Sequence, residues 1–579
     1  MVLSQLKAGV ESGAGALLTG ARGSGKTAAA RAAYEELAPG FERAAWIAGS
    51  ADDSCVPFAA FERLFTVPET GRTVQVLRAA REALGTGLLL VVDDGHLLDR
   101  LSASLVYQLA VSGAARVIVT AEANQSLPEG ISSLARDRLV VPVAADGPGS
   151  SAVFEAPELP PLDGDGVVAR LRRAVRALDA GAAARVAELA AAADDALRLG
   201  DLELAERLGR AALPAGGLAT RVTLSYALAW QGRGLDADAV LAEVDPAALT
   251  EPALMAWALP RAANQFWMLS EPERATAFLR TIRNRVQTPA AQVTLDALSA
   301  TFAMNAGNLG RAMQLADSVL ASDDPSDTAV GWAASAAALS CARTGRLTEV
   351  DAFAERALAA GQPGLLRFTS GFGQTTALLL DGAPDQAQAL AHELIDFTQS
   401  QQPGRAIGEV VLADVLIARG ELDSAIELLG DAAKVLAPTG YSWGPLAWML
   451  LAQALGRRGA TAEAGRALAR AEARHGLKSM LFAPELALAR AWTNAARRDQ
   501  HGAVAAAREA FRAAERGGQS AMALRALHDA ARLGDVRAAG CFDRVSVDCA
   551  FGRQARAVAT GSPPSAPDHL PHGRSSDPP

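Results

Sequence analysis

Gly20-Ala21-Arg22-Gly23-Ser24-Gly25-Lys26-Thr27 is the stretch on which the reading of this chain turns. It matches GxxxxGK[ST], the pattern of a loop whose backbone N–H groups wrap a phosphate. An apolar run at 14–19 precedes it and a helical pattern at 27–37 follows, which is the context such a loop requires. A Cβ would hold the backbone away from a phosphate, so Gly20, Gly23 and Gly25, with Ser24 between them, suit the cradle. The helix starting near Lys26 adds its dipole to those amides. Lys26 is placed to reach the β- and γ-phosphates and the Thr27 hydroxyl to ligate a divalent cation, so the expected cofactors are ATP and Mg2+.

Working outward, Leu88-Leu89-Leu90-Val91-Val92-Asp93-Asp94 reads as a buried strand ending in two acids. Acids at the C-terminal edge of an open α/β sheet stand where ligands bind. Asp93 is expected to hold Mg2+ through water, and Asp94 to occupy the catalytic place of a water-activating acid. Thr120 ends a strand at 116–120, where P-loop ATPases with an inserted strand carry a polar γ-phosphate sensor. Plain β-propensity accounts for a terminal threonine equally well. His96, just past the acids, is assigned no chemistry.

Around these motifs, residues 1–145 alternate short apolar runs with amphipathic helical patterns, the signature of an α/β fold with a parallel sheet. Strands are expected at 14–19, 44–48, 88–92, 116–120 and 139–143, five in all, with helices at 27–37, 74–84 and 102–110. Residues 146–166 are rich in Gly, Pro, Ser and Asp and read as a linker. From 167 to 545 strand signals vanish and alanine and leucine dominate. A turn then recurs: Leu199-Gly200-Asp201, Gln231-Gly232-Arg233, Gly307-Asn308, Gly345-Arg346, Gly382-Ala383, Gly420-Glu421, Gly459-Ala460 and Gly534-Asp535. Weaker copies stand at Ser270-Glu271-Pro272 and Arg498-Asp499-Gln500, and the spacing is 32 to 40 residues throughout. That period predicts an all-α, tetratricopeptide-like (TPR-like) solenoid of stacked helical hairpins. Glycine supplies the left-handed turn inside each pair, while Ala205, Ala312, Ala387, Ala425 and Ala464 are expected at close helix contacts. Residues 546–579 are read as a mostly disordered Pro/Ser-rich tail.

The 579 residues carry a net charge of −9, and no lysine follows Lys478. From Ala503 to the end ten Arg face eight acids, so no strong basic tract for nucleic acid is present. The longest aliphatic run, 88–92, is far short of the ~20 residues of a membrane helix. The start, Met1 to Lys7, lacks a secretion-signal pattern. Cys55, Cys341, Cys541 and Cys549 are scattered, as expected of thiols in a reducing cytoplasm. A cytoplasmic protein away from membranes is expected.

These residues resemble the large ATP-binding transcriptional regulators of the LuxR type, within the STAND group of signalling ATPases. The similarity is carried by the phosphate loop, by Val56-Pro57-Phe58, and by Val92-Asp93-Asp94-Gly95-His96-Leu97-Leu98-Asp99. In the helical part it is carried by Leu204-Ala205-Glu206-Arg207 and Ala227-Leu228-Ala229-Trp230-Gln231-Gly232-Arg233. The resemblance implies an ATPase module coupled to a helical-repeat sensor. The chain departs from the family in having too few residues after Ala144 for the lid and winged-helix subdomains, and no helix-turn-helix after the repeats. The expectation is a regulatory protein linked to transcription, with at most slow ATP hydrolysis and with a protein or small-molecule effector on the repeats. No direct DNA binding is expected from this chain alone. Two other readings stand beside it: a scaffold with a vestigial nucleotide site, and a P-loop hydrolase or kinase acting on a separate substrate.

Overall fold

Five short strands form one parallel sheet: β1 (Gly15–Gly20), β2 (Arg43–Ala48), β3 (Leu88–Asp93), β4 (Ala115–Glu122) and β5 (Val140–Ala144). Their order is β2-β3-β4-β1-β5, so β4 is inserted between the strand that feeds the glycine-rich loop and the strand that ends in the acids. All six residues of β3 are buried, as a central strand covered on both faces requires. The covering helices are α1 (Val2–Glu11), α2 (Lys26–Leu37), α3 (Thr73–Leu84), α4 (Arg100–Val111) and α5 (Glu129–Arg136). The computed structural model describes residues 2–145, 165–181, 185–361, 365–398 and 402–560. The expected linker at 146–166 lies almost wholly outside them.

A single helix, α6 (Val167–Asp179), precedes the repeats. The hairpins then run α7 (Val186–Arg198) with α8 (Leu202–Ala212), α9 (Leu218–Trp230) with α10 (Gly234–Ala242), and α11 (Glu251–Ala263) with α12 (Pro272–Arg285). They continue as α13 (Pro289–Asn305) with α14 (Leu309–Leu320), α15 (Asp327–Thr344) with α16 (Val350–Ala359), and α17 (Leu366–Leu380) with α18 (Pro384–Phe397). Next come α19 (Gly404–Arg419) with α20 (Leu422–Leu436), α21 (Trp443–Arg458) with α22 (Thr461–Arg474), and α23 (Ala483–Ala496) with α24 (Gln500–Arg516). Last are α25 (Ser520–Arg532) and α26 (Ala550–Thr560). Residues 550–560, assigned from composition to the tail, therefore form a helix that packs against α25; residues 561–579 lie outside the described residues.

The turns recur where the sequence places them, and every one is left-handed. Gly200, Gly232, Gly307, Gly345, Gly382, Gly420, Gly459 and Gly534 have φ between 77° and 90°. The two weak copies obey the same geometry without glycine, at Ser270 (φ 59°) and Arg498 (φ 61°). Ala205, Ala312, Ala387, Ala425 and Ala464 are all fully buried at helix contacts.

By packing, the chain divides into two compact units, Met1–Leu249 and Thr250–Pro579. In the first, the sheet domain and the opening repeats share one core. Phe58, Phe61, Val76 and Leu77 belong to the same buried cluster as Val168, Leu171, Leu189 and Leu204. Arg170 pairs with Glu69 at 2.7 Å, and Arg172 with Asp53 at 2.9 Å and Glu62 at 2.6 Å, at the edge of that core. Among the described residues no helix is long and apolar enough to cross a membrane.

Candidate functional site

The glycine-rich loop leaves β1 at Gly20 and enters α2 at Lys26. Gly23 (φ 79°) and Gly25 (φ 81°) take left-handed conformations, and a Cβ at Gly20 would lie 2.6 Å from the Ser24 hydroxyl and 2.9 Å from the Ala145 side chain. Ala21, Arg22 and Gly23 are exposed, so the tip of the loop faces solvent. The Ser24 hydroxyl is buried without a hydrogen-bond partner. Lys26 is buried and folds back on the loop, donating to the carbonyls of Gly20 at 3.1 Å and Ala21 at 2.8 Å.

Three expected site residues meet in one place. Oδ1 of Asp93, at the end of β3, accepts from the Thr27 hydroxyl at 3.1 Å and from the Thr120 hydroxyl at 2.5 Å. Strand order is the cause: β4 lies beside both β1 and β3, which puts Thr120 level with the loop and the acid. Thr120 also accepts the Asp94 amide at 3.0 Å. Asp94 itself is left-handed, with φ 48°, an uncommon state for a non-glycine residue. Burial, and after it the charge of Asp93, raises the Asp94 carboxyl above the usual carboxylate range, with His96 and Lys26 opposing.

Sequence reasoning passed over His96 and Asp99. The His96 ring, nearly buried, has Nδ1 4.0 Å from Asp94 and Nε2 3.8 Å from Glu122. The Glu122 amide donates to Nδ1 at 3.4 Å. Nothing in the local pattern signals this, because Glu122 is brought in by β4. Asp99 caps α4: its Oδ1 accepts from the amides of Leu101 and Ser102, and also from Phe58 at 3.1 Å. The Asp-x-x-Ser spacing ahead of an apolar run was the available sign of a cap. Burial drives the Asp99 carboxyl up to about 6 against those three bonds. Among the described residues no group of three or more His, Cys, Asp or Glu side chains forms a metal cluster.

No protein-family model matches the chain, and no curated protein matches it in sequence. Among solved structures the similarities are distant, with TM-scores below 0.5. A Rap protein complexed with competence and sporulation factor is 14% identical with a TM-score of 0.44, over 59% of this chain and 99% of that one. A STAND protein with a tetratricopeptide repeat sensor from Pyrococcus horikoshii is 12% identical with a TM-score of 0.34, over 96% of this chain and 93% of that one. The human IFIT1 dimer with m7Gppp-AAAA is 13% identical with a TM-score of 0.36, over 66% of this chain and 95% of that one.

Proposed function

We infer that this chain is an ATP-binding regulatory protein, in which a nucleotide domain is joined to a TPR-like platform for a protein or small-molecule effector. The observation that carries the reading is the convergence of the Thr27 and Thr120 hydroxyls on Asp93, beside a buried Lys26. A hydroxyl next to a carboxylate is the donor set of a hard, oxygen-preferring cation such as Mg2+. Glycines at 20, 23 and 25 leave room for backbone amides to face a phosphate, and the unpartnered Ser24 hydroxyl supplies one further donor. The residues present therefore fit Mg-ATP. Thr27 and Asp93 would hold the metal, Lys26 would exchange its two carbonyl partners for phosphate oxygens, and Thr120 would orient Asp93. The bound nucleotide supplies a γ-phosphate whose presence or loss distinguishes two states.

The switch works by differential contacts and needs little turnover. The exposed loop tip leaves a bound γ-phosphate hydrated, so fixed dipoles contribute less to a hydrolytic transition state. On the resemblance to LuxR-type regulators we add a link to transcription, with a partner protein supplying the DNA reader. Calorimetric titration with Mg-ATP and Mg-ADP tests the core of this reading. Lys26→Ala is expected to weaken Mg-ATP binding by roughly 1.5–3 kcal/mol, the range of a charge-assisted contact, with helical content unchanged. Equal affinity in the two proteins would sink the assignment.

A further inference from the structure

The glycine-rich loop stands at the C-terminal edge of the sheet. A separate pocket, of about 250 Å³, opens at the N-terminal edge, lined by Gly13 and Gly15 around the start of β1, Arg116 and Val117 of β4, and Arg138 and Leu139 just before β5. Strand β1 runs from this pocket at Gly15 to the loop at Gly20, which separates the two places by about 17 Å at ~3.3 Å per residue.

Arg116 is out of keeping with its strand. It is the second residue of β4, in the middle of the sheet, where Ala115 and residues 117–121 are all buried. Such strands read as unbroken apolar runs, and arginine is seldom drawn out of water there without a partner. Arg116 is half-buried, yet among the described residues its side chain has neither an ion pair nor a hydrogen bond. Its Nη2 lies 3.8 Å from where a Cβ on Gly13 would stand, so the guanidinium lies beside a left-handed glycine (φ 89°) that has no side chain to cover it. Arg138 is exposed and equally without a partner among the described residues. Its backbone is left-handed (φ 57°), a state in which glycine is less strained.

No acid is among the residues lining the pocket, so two permanent positive charges stand there uncompensated. The nearby amides add nothing: those of Gly13, Gly15 and Arg138 are spent on the carbonyls of Val10, Leu139 and Ala135, at 3.2, 2.8 and 3.2 Å. Recognition therefore falls to the guanidinium groups, whose planar fork of donors matches the oxygens of a phosphate. Two cations suit a doubly charged group, and a phosphate monoester carries nearly two negative charges near neutral pH. The volume is just under the ~300 Å³ low end of small-molecule sites, so the ligand is compact. Val117 and Leu139 supply an apolar wall for its carbon part.

We propose that this pocket is a second anion site, in which Arg116 and Arg138 hold a compact dianionic phosphate, free or as a small phosphomonoester. It is separate from the glycine-rich loop and from the repeats, and stands or falls independently of the ATP reading.

The test uses the full chain carrying Lys26→Ala, which weakens phosphate binding at the loop. Inorganic phosphate and glycerol phosphate are titrated separately and followed by phosphorus NMR line width. Binding should persist in this parent and fall roughly tenfold or more on adding Arg116→Gln or Arg138→Gly, the loss expected from one charge-assisted hydrogen bond. Arg138→Gly relieves a left-handed arginine, so its thermal midpoint should stay at or above the parent's while binding is lost, which a merely structural role would not produce. Tighter binding of glycerol phosphate than of phosphate identifies an ester as the ligand, and the reverse order identifies the free ion. Unchanged binding in Arg138→Gly, no phosphate binding in the Lys26→Ala parent, or succinate binding as tightly as phosphate would each overturn the proposal.

Discussion

Asp93 and Asp94 are adjacent in sequence and differ in nearly everything else. Asp93 is buried and accepts two hydroxyl donors, so its carboxyl group is held in place; Asp94 is half-exposed with a raised carboxyl. Asp93→Asn should therefore abolish the Mg2+ dependence of ATP binding, measured by titration with and without the metal. Single-turnover hydrolysis should be slow, below the ~1 s⁻¹ low end of ordinary enzymes, and Asp94→Asn should change it little. Brisk hydrolysis that collapses in Asp94→Asn would mean a complete, closed pocket. A third acid, Asp99, makes a statement about stability. Its folded carboxyl titrates at about 6 against an ordinary 3.8, so the folded state holds the extra proton between those values. The associated stability is fully present below pH 3.8 and is lost as pH rises through 6, on the order of 3 kcal/mol. Asp99→Asn keeps an oxygen for the three amides and removes the titration. Urea midpoints from pH 4 to 7 should fall in the wild type relative to this variant; parallel curves would refute the assignment.

At the scale of the helical hairpin, the turn residue decides the strain. A left-handed conformation costs an ordinary residue ~1–2 kcal/mol and glycine little, while glycine gives back part of that through unfolded-chain entropy. Ser270→Gly and Arg498→Gly should each raise stability by roughly 0.5–1 kcal/mol net. The converse depends on what lies nearby. A Cβ at Gly420 meets nothing within 4 Å, but one at Gly345 would lie 2.3 Å from Val547 Cγ2. Gly345→Ala should therefore lower the denaturation midpoint clearly more than Gly420→Ala, and equal shifts would mean the Val547 loop yields freely. The ten turns were legible because each is a local event, set by one residue and its conformational freedom. Ser270 and Arg498 were the faint copies because there the backbone geometry is kept without the residue that announces it.

At the scale of the whole molecule, compositional and physical boundaries differ. Composition changes at 145–167, yet the buried cluster of the sheet domain runs on through α6, α7 and α8. A fragment of residues 1–145 would expose the apolar surface around Phe58, Phe61, Val76 and Leu77 that Leu171, Leu189 and Leu204 now cover. That fragment should aggregate or melt without cooperativity, while residues 1–249 should stay soluble and unfold in one transition. Calorimetry and sedimentation of the two fragments decide this, and a stable, cooperative 1–145 fragment would show the shared core to be dispensable.

By itself the sequence determined the strands, the glycine-rich loop, the acids after β3 and the period of the repeats. Each depends on neighbours a few residues away: apolar alternation, turn chemistry, a helix start. Only the tertiary structure decided that Thr120 meets Asp93, that His96 sits between Asp94 and Glu122, and that Arg343 finds Glu485. The first two follow from strand order, which puts β4 between β1 and β3. The third joins α15 to α23 across 142 residues, a contact that no single hairpin's sequence specifies.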